Sequence, residues 1–254
     1  MTGWRPRKGL GQNFLNDGNA QAKLFRIIMA VQPKRVIEIG PGRGDMAARF
    51  LLQGIPVCLI EKDKILHQAL SRRFASDERV TLMHTDVRHI QADRFPHKKG
   101  DVMFGNLPFV TATAIFRYTM TLPVYDNYFF MFQQEVAERL AALPGDSNYS
   151  YISLFRSLYV SCKPVLRLPP DVFWPRPKVH AAVLHLRPLS AQPVSKQDIQ
   201  PFTAFAKQCF SQKRKTLRRM AGKEPASPAL QQLLAKRPHQ LTVQQMYRLY
   251  KLLA

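Results

Sequence analysis

Through about residue 187, short apolar runs alternate with stretches of helical spacing. Residues 36–39, 57–60, 80–83, 102–104 and 128–132 are strand-like, whereas 46–53 and 65–74 carry apolar residues at helical intervals. Near-continuous apolar strands separated by helices predict a mostly parallel sheet covered on both faces. Residues 181–186 follow the proline-rich Phe173-Trp174-Pro175-Arg176-Pro177-Lys178 and predict a late strand at an antiparallel edge of that sheet. The pattern breaks at 188–193, which reads as a linker. Beyond it, Phe202, Phe205, Cys209 and Phe210 recur at helical spacing within a helix expected over 201–220. Lys207, Lys213, Arg214, Lys215, Arg218 and Arg219 load its remainder with charge. Two domains are expected, at 1–187 and 188–254.

Composition adds a polyanionic partner to this picture. The 254 residues hold 38 Lys+Arg against 17 Asp+Glu, a formal net charge of +21. Residues 188–254 alone carry 12 Lys+Arg and 2 Asp+Glu. Five cations within 213–219, with no acid among them, exceed what solubility needs and predict a nucleic-acid backbone surface. With apolar residues at 46%, global disorder is excluded. No window approaches the roughly 18 apolar residues of a spanning helix, and no apolar stretch follows the basic start with Arg5, Arg7 and Lys8, so neither a membrane span nor a signal peptide is expected. Cys58, Cys162 and Cys209 are few, odd in number and far apart, and the seven histidines form no HExxH. A metal site is therefore not expected, and a reducing cytoplasm is.

The first chemical motif is Glu38-Ile39-Gly40-Pro41-Gly42-Arg43-Gly44, between an expected strand and an expected helix. Glycines there let the backbone turn sharply and approach a ligand closely. Glu61, at the end of the next strand, is placed to accept hydrogen bonds from both hydroxyls of a ribose. A dinucleotide fingerprint would need glycine at position 45, where the chain has Asp45. The pattern instead resembles the first motif of S-adenosylmethionine-dependent methyltransferases. That resemblance implies that Asp86, after the third expected strand, meets the adenine amino group of the cofactor. The alternative for Asp86 is a helix cap.

After the fourth expected strand stands Gly105-Asn106-Leu107-Pro108-Phe109, at the carboxyl edge where open α/β sheets bind ligands. This loop suits methylation of an exocyclic adenine amine, a poor nucleophile because its lone pair is delocalised into the ring. The Asn106 side-chain carbonyl and the Leu107 backbone carbonyl could each accept one N–H and so favour a pyramidal nitrogen. Pro108 stiffens the turn, and Phe109 offers a stacking face. Against a sulfonium-borne methyl no strong base is needed, so orientation and electrostatics carry the step. The adenine must be flipped or single-stranded.

With these motifs the chain resembles the rRNA adenine N6-dimethyltransferase family, which includes the KsgA-type and Erm-type enzymes. Gly11-Gln12-Asn13-Phe14-Leu15 is similar to that family's GQNFL, and the resemblance implies cofactor contacts for Asn13 and Leu15. The segment from Gln133 to Leu140 resembles QKEVAxRL, and Phe173 to Val179 resembles FxPxPKV, whose Phe lies near the target base. The stretch from Phe210 to Arg219 resembles FxQRRKTLR of the KsgA side. The loop departs from that side's NLPYNIS at Phe109, a residue common in Erm-type loops, and Tyr149-Ser150-Tyr151-Ile152-Ser153 departs from YGxLS.

The resemblance implies a class I, Rossmann-like methyltransferase domain with a mostly parallel seven-stranded sheet, followed by a small α-helical RNA-binding domain. S-adenosylmethionine would be held by Asn13, Leu15, Gly40, Gly42, Glu61, Asp86 and Asn106. The target base would be held by Asn106, Leu107, Pro108, Phe109 and Phe173. Arg5, Arg7, Lys8, Lys178, Lys213, Arg214, Lys215, Arg218 and Arg219 would grip rRNA phosphates. The expected reaction is dimethylation of two adjacent adenines in the 3′-terminal hairpin loop of 16S rRNA within the small subunit, by a monomer. Dimethylation of one adenine in 23S rRNA and a non-catalytic ribosome-assembly role are the alternatives.

Overall fold

A computed structural model of the chain describes residues 11–122, 125–220 and 227–253. The expected Arg5, Arg7 and Lys8 contacts lie outside the described residues. The five apolar runs form strands β2 (Arg35–Ile39), β3 (Val57–Glu61), β4 (Val80–His84), β5 (Asp101–Asn106) and β6 (Asn127–Gln133). They are preceded by a two-residue strand β1 (Phe14–Leu15), and followed by β7 (Val160–Leu168), β8 (Phe173–Trp174) and β9 (Ala181–Pro188). Seven strands make one sheet in the order β4-β3-β2-β5-β6-β9-β7. The four pairings from β4 to β6 are parallel, and β9 joins β6 antiparallel. The sheet is the mostly parallel one of a class I methyltransferase fold. The late strand β9 is antiparallel as expected, but it is not the edge. β7 lies outside it, and its Lys163, Pro164 and Arg167 hid that strand from an apolar-run reading.

Strand residues pack by alternation, as the pleat requires. Val36, Val57, Leu59, Val102, Phe104, Phe129 and Met131 share one core with Leu24 and Ile28 of α1 (Gly18–Met29), Ala47 and Phe50 of α2 (Asp45–Leu52), and Leu70 of α3 (Lys64–Arg73). The intervening Ile37, Cys58, Met103 and Phe130 are also buried. Phe132 meets Phe116 of α4 (Ala112–Thr119) edge to face at 6.2 Å. With both faces covered, continuous apolar strands are what burial selects. Register between β2 and β5 is pinned at its first pair, where Arg35 donates to Asp101 Oδ1 at 3.2 Å and to Oδ2 at 2.5 Å.

Packing divides the chain into two compact units, 1–137 with 163–188, and 138–162 with 189–254. Residues 138–162, assigned by sequence to the first domain, thus belong to the helical unit. The reason is a shared apolar core: Ala142, Tyr149, Leu154 and Leu158 bury themselves with Phe202, Leu217, Leu234 and Met246. Inside this segment the buried Arg156 donates to the carbonyls of Leu140 at 2.9 Å, Ala142 at 3.2 Å and Val160 at 3.4 Å. It ties off the carboxyl end of α5 (Gln134–Ala141), where orphan carbonyls favour a cation. The unit is completed by α6 (Tyr151–Arg156), α7 (Ile199–Ser211), α8 (Pro228–Leu234) and α9 (Val243–Leu253).

The helix expected over 201–220 stops at Ser211. Beyond it the backbone turns, with Lys215 N donating to Gln212 O at 2.8 Å, and Leu217 N reaches Lys236 O at 3.0 Å. Continuing the helix would stack Arg214 on Arg218 and Lys215 on Arg219 at like-charge i, i+4 spacing. The chain instead sinks Leu217 into the core and leaves Arg214, Lys215, Arg218 and Arg219 exposed around it. Lys213 is half-buried and donates to Ser147 O.

Candidate active site

The strand order reverses between β2 and β5: from β2 the chain moves to β3 and β4, and from β5 to β6 on the other side. The carboxyl ends of these two strands carry the glycine loop and Asn106. A cleft opens there, lined by Gly11, Gln12, Asn13, Phe14, Gly40, Gly42, Glu61, Leu66 and the loop Asn106, Leu107, Pro108, Phe109. Of the expected cofactor and base contacts, Asn13, Gly40, Gly42, Glu61, Asn106, Leu107, Pro108 and Phe109 are brought together in this one cleft. Leu15 lines a smaller adjoining cavity with Phe14, Gln21, Glu38, Gly40 and Asn106.

Two glycines shape the loop. Gly40, at φ +68°, has nothing within 4 Å of where a Cβ would stand, so the cleft is open on that side. Gly42, at φ +59°, would drive a Cβ to 2.6 Å from the Phe14 ring, so only glycine lets β1 close over the loop. Gly42 N also donates to Glu61 Oε2 at 3.3 Å, while Asp63 N donates to Oε1 at 2.8 Å. Burial nonetheless dominates, and pushes the Glu61 carboxyl up to about 7.

The reacting loop is held by the amino-terminal segment. Asn106 Nδ2 donates to the main-chain oxygen of Asn13 at 2.8 Å, which fixes the amide and leaves Oδ1 as its acceptor face. Thr111 N closes the following turn on Pro108 O at 2.9 Å, and the Leu107 carbonyl accepts no hydrogen bond from the described residues. Leu107 is buried and Phe109 half-buried. β1 itself pairs antiparallel with β8, placing Phe14 against Trp174 and Leu15 against Phe173.

Three expected residues sit elsewhere. Phe173 is buried in the apolar core with Leu15, Leu166 and Leu168 and does not line the cleft; the exposed aromatic of that pair is Trp174. Asp86 is not in the cleft lining either. Its Oδ1 accepts from Arg88 N at 3.0 Å and Nε at 3.0 Å, and its Oδ2 from Arg88 Nη2 at 2.7 Å and Lys62 Nζ at 3.0 Å. Arg88 holds this carboxyl well below the usual carboxylate range. Asp86 therefore caps the turn Val87–His89, and a ligand amine would meet a carboxylate already paired with two cations. Lys178 is exposed, away from this lining.

One acid escaped the sequence reading as a site residue. Glu38, inside the glycine motif, is 3% exposed, and its Oε2 has no hydrogen-bond partner among the described residues. Burial, with Asp45 and Glu61 adding repulsion, pushes it up to about 8. An acid between Ile37 and Ile39 of a buried strand was the available signal. Among the described residues no cluster of three or more His, Cys, Asp or Glu could hold a metal, and no helix is long and apolar enough to cross a membrane.

Known proteins resemble this chain in sequence and fold. A family model described as ribosomal RNA adenine dimethylase matches residues 4–254. The chain is 35% identical over 221 residues to the ribosomal RNA small subunit methyltransferase A of Syntrophotalea carbinolica, covering 84% of this chain and 81% of that one. Its counterpart from Pectobacterium atrosepticum is 32% identical over 253 residues, covering 96% and 92%. Among solved structures, a dimethyladenosine transferase from Plasmodium falciparum is similar in fold, with a TM-score of 0.77 at 23% identity over 93% of this chain and 95% of that one. With its cleft at the switch point of a class I sheet and a family match that runs nearly end to end, the chain belongs to the ribosomal RNA adenine dimethylase family.

Proposed function

We propose that this protein dimethylates the exocyclic amines of two adjacent adenines in the 3′-terminal hairpin loop of 16S rRNA, within the small subunit and with S-adenosylmethionine as donor. On this reading it works as a monomer in the cytoplasm. Its three cysteines are free, two of them buried, which suits a reducing compartment.

The cofactor fits the residues present. Glu61 offers a buried carboxylate for the ribose hydroxyls, Gly40 leaves open space, and Glu38 Oε2 is an orphaned acceptor suited to an ammonium. S-adenosylmethionine supplies a methyl group on a positively charged sulfur. This chain's residues supply position. Asn106 Oδ1 and the Leu107 carbonyl accept the two amine hydrogens of adenine and turn the nitrogen lone pair toward the methyl carbon, with Phe109 against the base. The bound donor would supply the methyl carbon for the new nitrogen–carbon bond and, as leaving group, would keep the electron pair of its carbon–sulfur bond. The proton shed by the amine passes to water.

The observation that carries this reading is the amide of Asn106, locked by the Asn13 carbonyl in a cleft that also contains Glu61. The test is transfer of radiolabelled methyl to unmethylated small subunits and, separately, to protein-free 23S rRNA. Label confined to adjacent adenines of the small subunit is expected. Asn106→Ala should lower that rate about 100- to 1,000-fold. Label on 23S rRNA, or none on either, would overturn the assignment.

A further inference from the structure

Trp174 is unusual for its type, since tryptophan is generally well buried. It is 44% exposed, although its neighbour Phe173 is 4% exposed in the core. The pairing of β1 with β8 sets Trp174 directly across from Phe14, whose side chain lines the cleft, and the two rings stack at 6.5 Å with 29° between their planes. The strand ends at Trp174. Trp174, Arg176 and Lys178 are exposed, while Pro175 and Pro177 between them are half-buried. One step from the residue that clamps Asn106, the surface thus presents an indole, and an exposed guanidinium and ammonium follow it two and four residues along the chain.

An aromatic face followed by cations is the chemistry of a single-stranded nucleotide site: the ring stacks a base, and the cations take the phosphates on either side of it. Neither the glycine loop nor the Asn106 loop uses these groups. We propose that Trp174, Arg176 and Lys178 form a second nucleotide subsite, which stacks the base flanking the target adenine and so holds the strand while the target is extruded. The inference rests on the reading of the cleft as a methyl-transfer site on RNA.

The chain contains two tryptophans, Trp4 and Trp174, so Trp4→Phe leaves Trp174 as its sole indole. Titrating that full-length variant with an RNA hairpin bearing two adjacent adenines in its loop should quench the indole emission. The same hairpin with an abasic nucleotide beside the target should bind without quenching. In methyl transfer, Trp174→Ala should raise KM for the RNA about 5- to 100-fold with kcat within about twofold. Trp174→Phe should recover most of the loss, and cofactor affinity should be unchanged. Combined with the abasic hairpin, Trp174→Ala should cost nothing further, because the two changes remove one stack. Unquenched emission, or losses that simply add, would overturn the subsite while wild-type methyl transfer leaves the main reading standing. Absence of methyl transfer by the wild type would instead overturn that main reading.

Discussion

Two buried acids, Glu38 within the glycine motif and Glu61 bonded to its Gly42 N–H, set the residue-level behaviour of the site. Both carboxyls are raised above the ordinary value, to about 8 and about 7, chiefly by burial. The sign follows directly. The fold favours their protonated forms, so their contribution to stability is full below about pH 4.5 and is lost as pH rises through about 7 and then about 8. Ligand binding runs the other way, because ribose hydroxyls and an ammonium both prefer carboxylates. S-adenosylmethionine affinity, measured by calorimetry, should therefore rise between about pH 6 and pH 8.5. Glu61→Gln should bind at least about tenfold more weakly and flatten that rise at its lower end. Glu38→Gln should raise Tm at about pH 8.5 and leave it unchanged at about pH 5, because a neutral amide removes a buried charge. A Glu38→Gln protein that melts like the wild type at both would show that this acid is not held against ionisation. Gly42→Ala tests the loop by space alone: a Cβ at 2.6 Å from the Phe14 ring and a positive φ should cost about 1–3 kcal/mol of stability and weaken cofactor binding.

At the scale of elements, the parallel sheet is held in register by side chains as well as by backbone ladders. Asp101 is 3% exposed and accepts from Arg35 Nε and Nη2 and from Lys98 N, the last at 2.7 Å. Asp101→Ala would leave the Arg35 guanidinium without its carboxylate between two central strands. The expected loss is about 3 kcal/mol, or roughly 6–10 °C in Tm, with little change in methyl transfer at low temperature. A shift of less than about 2 °C would assign the register to the backbone alone. β2, β3, β5 and β6 were legible because both their faces are buried, which leaves no polar alternation to confuse them, whereas β4 at the sheet edge is partly exposed and was read from Val80, Leu82 and Met83. β1 and β8 were not, since two-residue strands carry no period and pair only through tertiary structure. β7 was masked by its charges, and the basic helix was overread because spacing cannot see like-charge crowding at 214–219. The site shows the same division. The glycine loop and the Asn106 loop are each a contiguous motif, and Glu61 ends the strand that follows the first, so all three were readable. The clamp between Asn13 and Asn106, 93 residues apart, depends on a fold no local pattern contains. Phe173 and Trp174 are adjacent, and only the pairing of β8 decides which of them faces out.

Across the whole molecule, charge is distributed as unevenly as the chemistry. Of the two acids within 188–254, Asp198 is committed locally: it accepts from Tyr247 at 2.5 Å, Lys251 at 2.9 Å and Ser195 at 2.8 Å, which hold it down to about 2. It neutralises Lys251 and leaves the four exposed cations around Leu217 unopposed by it. If those cations meet RNA phosphates, each contact releases a counterion, and affinity must fall with salt in proportion to their number. A plot of log affinity for small-subunit rRNA against log salt concentration should therefore be steep for the wild type. Replacing Arg218 and Arg219 together by glutamine should reduce its slope by about 1.4–1.8, counting 0.7–0.9 per phosphate contact. Trp174→Ala should lower affinity without changing the slope, because stacking displaces no ions. The two kinds of variant thus separate what grips the backbone from what reads the strand. An unchanged slope after removal of both arginines would place the phosphate contacts elsewhere on this +21 chain, and the exposed run at 214–219 would then be a solvated surface rather than an interface.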